Sequence, residues 1–189
     1  DDVVASSDAP AIYGFSTKLD PKFLVNWSKT QDLNIQGQLN IGVRFFDFRV
    51  SFEKENASTV LYLSHGARGE KLADVLENIN TFTEQHPGEL ILIKVKGFSD
   101  AKCKEKNLNE LIAHEFGKRL KNYMLTRDEI QKKLPLATIG ELVNTGKRVI
   151  VIFDIKRDPR HPTTKAEVVY DSRKFLFDAK DILGSPWGN

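Results

Sequence analysis

The sequence predicts an α/β fold, a parallel sheet or (β/α) barrel whose strands are joined by helices in right-handed crossovers. Three observations predict it. Short, near-continuous apolar runs recur along the 189 residues, the pattern of strands buried on both faces. Segments with apolar residues at helical spacing lie between those runs. No repeat, low-complexity tract or Gly/Ser linker breaks the alternation, so residues 1–189 are read as one folding unit.

Val3-Val4-Ala5 forms a short first strand. Residues 43–50 are apolar, aromatic and β-branched, and residues 59–63 are similar, so each is a strand. Leu72, Val75, Leu76, Ile79 and Phe82 then recur at helical spacing, and Pro87-Gly88 closes that helix. Residues 89–95, dominated by Leu, Ile and Val, give the next strand. Leu108, Leu111, Ile112, Phe116, Leu120 and Tyr123 mark a second long helix. Both stripes are assigned to the core rather than to a binding face. Thr126 with Glu129 and Thr138 with Glu141 have the spacing of capping boxes opening shorter helices, and residues 148–153 form a final strand. Five or six strands are therefore visible. A closed eight-stranded barrel typically takes about 250 residues, so this chain is short by two or three strands.

The charge balance narrows the function. Against 28 Lys and Arg stand 26 Asp and Glu, a net charge of +2, so the large positive field of a phosphate-tracking nucleic-acid protein is missing. With 40% hydrophobic and 29% charged residues, disordered and collagen-like classes are excluded. No apolar run approaches the roughly 20 residues that span a bilayer. The opening Asp-Asp-Val-Val is neither a signal peptide nor an initiator Met, which reads as a fragment of something longer. Cys103 is the single cysteine, so no intrachain disulfide forms and the compartment stays open. Asn26-Trp27-Ser28 and Asn56-Ala57-Ser58 fit a glycosylation pattern that is common by chance.

In a β/α barrel the chemistry collects at the C-terminal ends of the strands. Ser6, Ser7 and Asp8 follow the first strand, and Asp47 and Arg49 sit within the second. Ser64, His65 and Gly66 follow the third, Lys94 and Lys96 close the fourth, and Asp154 closes the last. Asp47 and Arg49 are two apart, so they share one strand face while Phe46 and Phe48 take the other. Two readings fit: a structural ion pair in a barrel mouth, or a phosphate-binding Arg held by an acid. Lys94 and Lys96 likewise share a face, Lys96 being either a site residue or a solvated strand end. His65 before Gly66 suits a side chain delivered into a pocket by a tight turn. His86, His114 and His161 look like surface groups, and Trp27 and Phe23 are assigned to core packing ahead of membrane contact.

Together these segments resemble the X-box half of phosphatidylinositol-specific phospholipase C. Gly42-Val43-Arg44-Phe45-Phe46-Asp47-Phe48-Arg49, preceded by Gln36 and Leu39, is similar to that family's G-[IV]-R-aromatic-hydrophobic-D-hydrophobic-R strand. Leu63-Ser64-His65-Gly66 resembles its His-Gly, and Phe82 with Pro87 and Glu89 its F-x-x-x-x-P-x-E passage. Thr138-Ile139-Gly140-Glu141-Leu142 with Gly146-Lys147 resembles T-L-G-E-L…G-K, and Pro186-Trp187-Gly188-Asn189 the passage into the second half.

The resemblance implies a TIM-type (β/α) barrel of the PLC-like phosphodiesterase kind, here its N-terminal five or six strands, with residues 1–189 an X-box-like domain. It also implies a reaction: the inositol 2-hydroxyl attacks phosphorus, a cyclic inositol phosphate forms and diacylglycerol leaves. By the same resemblance His65 is the general acid, Asp8 the carboxylate that orients it, and Arg49 the guanidinium of the bacterial type where the eukaryotic type holds calcium. Asp47-x-Arg49 replaces a potential carboxylate ligand with a positive charge, so no metal and no cofactor are expected. Related glycerophosphodiesterases would carry Glu-x-Asp at that strand. Asp47, Arg49, His65 and Lys96 are expected to converge with Asp8 on one cleft, Lys96 and Arg49 binding substrate. The implied partners are phosphatidylinositol or an inositol phosphate at a membrane surface, in a secreted or peripheral setting, with no nucleic acid. A second polypeptide or domain would supply the missing strands.

One departure bears on turnover. Where the family has His immediately before Asp, this chain has Ser7 before Asp8. Serine has no useful basicity near neutral pH, and losing a positioned base costs about 10² to 10⁴ in rate. Lys96 is also followed by Gly97 and Phe98 where the family tends to place acids. Two functions follow: a metal-independent phospholipase weakened at Ser7, or a pseudoenzyme that binds phosphoinositide headgroups or a protein partner. A purely structural role is the third reading.

Overall fold

A computed structural model describes residues 29–56, 58–65, 68–97, 108–125, 138–153 and 176–177. The expected first strand, Ser7, Asp8, Phe23, Trp27, Cys103, the Thr126–Glu129 pattern, Asp154 and His161 lie outside the described residues. Helix α1 (Ile35–Asn40) leads into β1 (Phe45–Glu55), β2 (Ser58–Ser64) and β3 (Arg68–Lys71). Then come α2 (Leu72–Gln85), β4 (Ile91–Gly97), α3 (Leu108–Leu120), α4 (Ile139–Asn144), β5 (Val149–Phe153) and β6 (Leu176–Phe177). The six strands form one sheet in the order β3-β2-β1-β4-β5-β6. The α/β class is as expected; among the described residues the sheet is open, with β3 and β6 at its edges.

The direction of β2 corrects the sequence reading. β1 pairs in parallel with β4, and β4 with β5, but β2 runs antiparallel to β1, from Val50 opposite Leu63 to Glu55 opposite Ser58. The cause is the length of the connection. Only Asn56 and Ala57 separate the two strands, with Asn56 at φ 46, and a two-residue link can return the chain only as a hairpin. A parallel crossover needs a dozen residues or more. β1 also runs five residues past the expected end at Val50, because Phe52 continues the apolar alternation through charged neighbours.

Alternation gives the sheet two unlike faces. Phe46, Phe48 and Val50 of β1, Ile91, Ile93 and Val95 of β4, and Val149 and Val151 of β5 are buried under the helices in the main core. The stripes predicted for α2 and α3 lie in that core: Val75, Leu76, Ile79, Ile112, Phe116 and Leu120 are fully buried. Each such side chain contributes about 1.5–3 kcal/mol by leaving water. On the opposite face Ile150 and Ile152 join Leu142 and Leu125 in a smaller cluster, with Leu92 packed against it.

Local chemistry sets the element ends. Asn34 caps α1 by accepting from the Gly37 amide at 2.8 Å, and Gly42 at φ 97 turns the chain into β1. Thr138 and Glu141 form the expected capping box of α4. Helix α2 ends at His86, ahead of Pro87, and buried Arg148 donates from Nη2 to the Thr83 carbonyl at 2.6 Å, placing a cation at the helix's negative end.

Candidate active site

The register of β1 against β4 builds the site. Asp47 lies opposite Lys94 and Arg49 opposite Lys96, on neighbouring strands about 4.8 Å apart. Phe46 and Phe48, one residue out of phase, are paired with Ile93 and Val95 and fill the helix-covered core. The polar positions therefore belong to the face away from α2 and α3. Asp47 is exposed, and Arg49 and Lys94 are half-buried. Acid stands beside base in one pair, and in the next the register sets two cationic residues side by side.

The expectation that these residues close their strands holds for Lys96, one residue before the end of β4, and fails for Arg49. β1 continues to Glu55, so Arg49 is mid-strand, and the β1–β2 ribbon stands above the level at which β4 stops. The antiparallel return then matters for His65. Because Val50 faces Leu63, the same register carried two residues farther brings His65 back to the level of Phe48, one residue from Arg49. It is exposed, directly after the end of β2. The backbone thus brings the positions of Arg49, Lys96 and His65 to within one residue of the same level, with Asp47 two residues below Arg49, whereas Ser7 and Asp8 lie outside the described residues. Among the described residues, no three His, Cys, Asp or Glu side chains are grouped to hold a metal ion.

Sequence reasoning missed a polar cluster on the ribbon above this level. Arg68 of β3 is ion-paired with Glu53 of β1, and its guanidinium lies 4.9 Å from the ring centre of Tyr62 on β2, the strand between them. The Tyr62 hydroxyl donates to Glu55, whose carboxylate also has the Lys71 ammonium at 3.8 Å. The hydrogen bond to Glu55, with burial, pushes the Tyr62 phenol from 10.0 up to about 12. Period-two alternation of Ser51, Glu53 and Glu55 was the signal that could have exposed this face.

The family model described as PI-PLC X 1 matches residues 21–181. The chain belongs to the PI-PLC X family. The X-domain match takes in Asp47, Arg49, His65 and Lys96, and begins after Ser7 and Asp8. Human PI-PLC X domain-containing protein 2 is 40% identical over 77 residues, covering 41% of this chain and 25% of that protein. Human PI-PLC X domain-containing protein 1 is 26% identical over 132 residues, 69% of this chain and 38% of the other. The matches thus span about a quarter to two fifths of the length of these curated relatives. Among solved structures, phosphatidylinositol-specific phospholipase C from Listeria monocytogenes superposes with a TM-score of 0.49 at 22% identity, over 71% of this X domain's chain and 45% of its own.

Proposed function

We propose that this X domain is a metal-independent phospholipase C acting on phosphatidylinositol at a membrane surface, with turnover limited by Ser7. The observation that supports it most is the register that sets Arg49 beside Lys96 and returns His65 to within one residue of that level. Two adjacent cationic residues suit a phosphodiester, which carries a negative charge that the transition state spreads over its non-bridging oxygens. In this reading the inositol 2-hydroxyl attacks phosphorus and gives its proton to solvent water, Ser7 offering no base, while Arg49, steadied by Asp47, holds the phosphoryl oxygens through two parallel hydrogen bonds. His65 gives its proton to the diacylglycerol oxygen as the P–O bond breaks, and Asp8 orients that imidazole. Lys96 binds substrate beside Arg49. Residues 1–189 act as one domain of a TIM-type barrel.

A second reading is favoured by Ser7, which leaves no imidazole where the 2-hydroxyl proton must go. A cleft with its cations and without its base binds headgroups and does not turn them over. Hydrolysis of phosphatidylinositol vesicles by the parent chain, Ser7→His and Ser7→His/His65→Ala separates the two. A phospholipase gains about 10² to 10⁴ in rate on restoring the base and loses the gain with His65. No cleavage by either folded His65-containing protein, with inositol phosphate still bound, assigns the domain to binding.

A further inference from the structure

We infer that Arg68 is a positioning residue for His65, acting as a strap across the ribbon that carries the histidine. The inference rests on the role of His65 given above for its catalytic consequence, and on geometry alone for the strap. His65 opens a link of three residues between Ser64, the last residue of β2, and Arg68, the first of β3, and these two are paired in register. A residue directly beside a paired strand end takes its position in part from that pair. The Arg68 end of the pair is fixed from outside β2 and β3: its guanidinium passes over the Tyr62 ring on β2 and ends on the Glu53 carboxylate of β1.

β3 and β1 are not neighbours, so this ion pair bridges over an intervening strand, and it does so on the sheet face that carries the Asp47 and Arg49 positions. The Tyr62 ring beneath it is tethered by its hydroxyl's hydrogen bond to Glu55. In this four-residue edge strand Lys71, beside Glu55, anchors the end that enters α2, and Arg68 anchors the end next to His65. Loosening Arg68 leaves His65 attached and close but no longer held at one distance from the Arg49 level. A misplacement of about 1 Å is enough to cost up to about 10²-fold in rate.

The chain has four histidines, so imidazole carbon–proton NMR spectra of the whole labelled chain, assigned with His65→Gln, read His65 directly. In Arg68→Gln and in Glu53→Gln the His65 resonance should move toward the position of a free histidine, while His86 and His114 stay in place. Exchanging the charges in Glu53→Arg/Arg68→Glu should bring it back. With phosphatidylinositol vesicles, in whichever of the parent or Ser7→His shows turnover, Arg68→Gln should lower kcat by about 10-fold to 100-fold with KM within about twofold. Should Arg68→Gln fail to fold, Arg68→Lys keeps the charge while losing the planar stack, and the same shift, smaller, is expected. If neither protein cleaves lipid, the phospholipase reading falls and the spectra alone decide the strap. An unmoved His65 resonance in a folded Arg68 variant overturns the inference, as does an unchanged kcat in a protein that turns over.

Discussion

Arg44 and Glu89, 45 residues apart, form an ion pair with Nε 2.8 Å from Oε2. Both belong to motifs that resemble a phospholipase, and neither lies at the level of Arg49 and His65. Arg44 Nη1 also donates to the Leu39 and Val43 carbonyls at 2.7 and 2.8 Å, and its guanidinium lies 4.6 Å from the ring centre of Phe82. His86 stacks on the same ring at 4.0 Å and donates from Nδ1 to the Phe82 carbonyl at 2.9 Å. One side chain thus ties α1, β1, the end of α2 and the entry to β4. This part of the family pattern records how the sheet is pinned from below.

Arg44→Met should therefore destabilise the fold by about 3 kcal/mol, since it removes three hydrogen bonds, the Leu39 carbonyl keeping only its bond from the Gly42 amide. Glu89→Gln, which keeps the shape, should cost about 0.5 kcal/mol, because water screens the part-exposed carboxylate. The hydrogen bond from Arg44 holds the Glu89 carboxyl below its ordinary 4.5. Its stabilisation is thus present above that pH and lost as acid protonates the folded carboxylate. Urea denaturation from pH 7 to pH 3 checks this: the gap between parent and Glu89→Gln should shrink with falling pH, and a constant gap would contradict it.

Anion affinity should follow Arg49. Arg49→Ala is expected to weaken binding of a soluble inositol phosphate by at least about tenfold, and Arg49→Lys to recover only part, because an ammonium lacks the planar fork. Titration calorimetry with and without a chelator should give the same affinity for the parent. Binding that vanished with the chelator and survived Arg49→Ala would point to a metal instead.

Tyr62 should titrate late. With its phenol pushed from 10.0 to about 12, the folded state keeps a proton that the unfolded chain releases, so stability is whole below about pH 10 and falls from there toward pH 12. Ultraviolet difference titration should show one tyrosine ionising near 12 in the parent and absent in Tyr62→Phe. An unchanged late step in that variant would reassign the signal.

The cap of α4 offers a check on local stability. Thr138 accepts from the Glu141 amide at 3.3 Å while the Glu141 carboxylate takes the Thr138 amide at 2.7 Å. Thr138→Ala should cost about 1 kcal/mol in chemical denaturation, and Thr138→Ser much less. Equal losses would show that the hydroxyl is not the stabilising group.

Much of this was legible wherever a single period governed a segment. The stripe from Leu72 to Phe82 and the Thr138 box are local patterns, and each formed as read. The direction of β2 was not, because it depends on two residues, Asn56 and Ala57, that read as part of an ordinary loop until the full length of β1 is known. Asp47 and Arg49 could be put on one face from their spacing, but Lys96 beside Arg49 is a matter of register, set by side chains 47 residues apart. The strap of Glu53, Tyr62 and Arg68 joins three strands, and no local pattern in the sequence announces such a contact.

The two-residue link at Asn56 also bears on the order of assembly. Arg49 and His65 are joined by one hairpin, an element that closes on the microsecond scale without help from the rest of the chain. The position of Lys96 arrives only after α2 has crossed over and β4 has docked in parallel, a pairing of high sequence separation and correspondingly slow formation. The cation and the histidine are therefore set against each other by a segment that can form early, and the later strands are laid down against a template already in register.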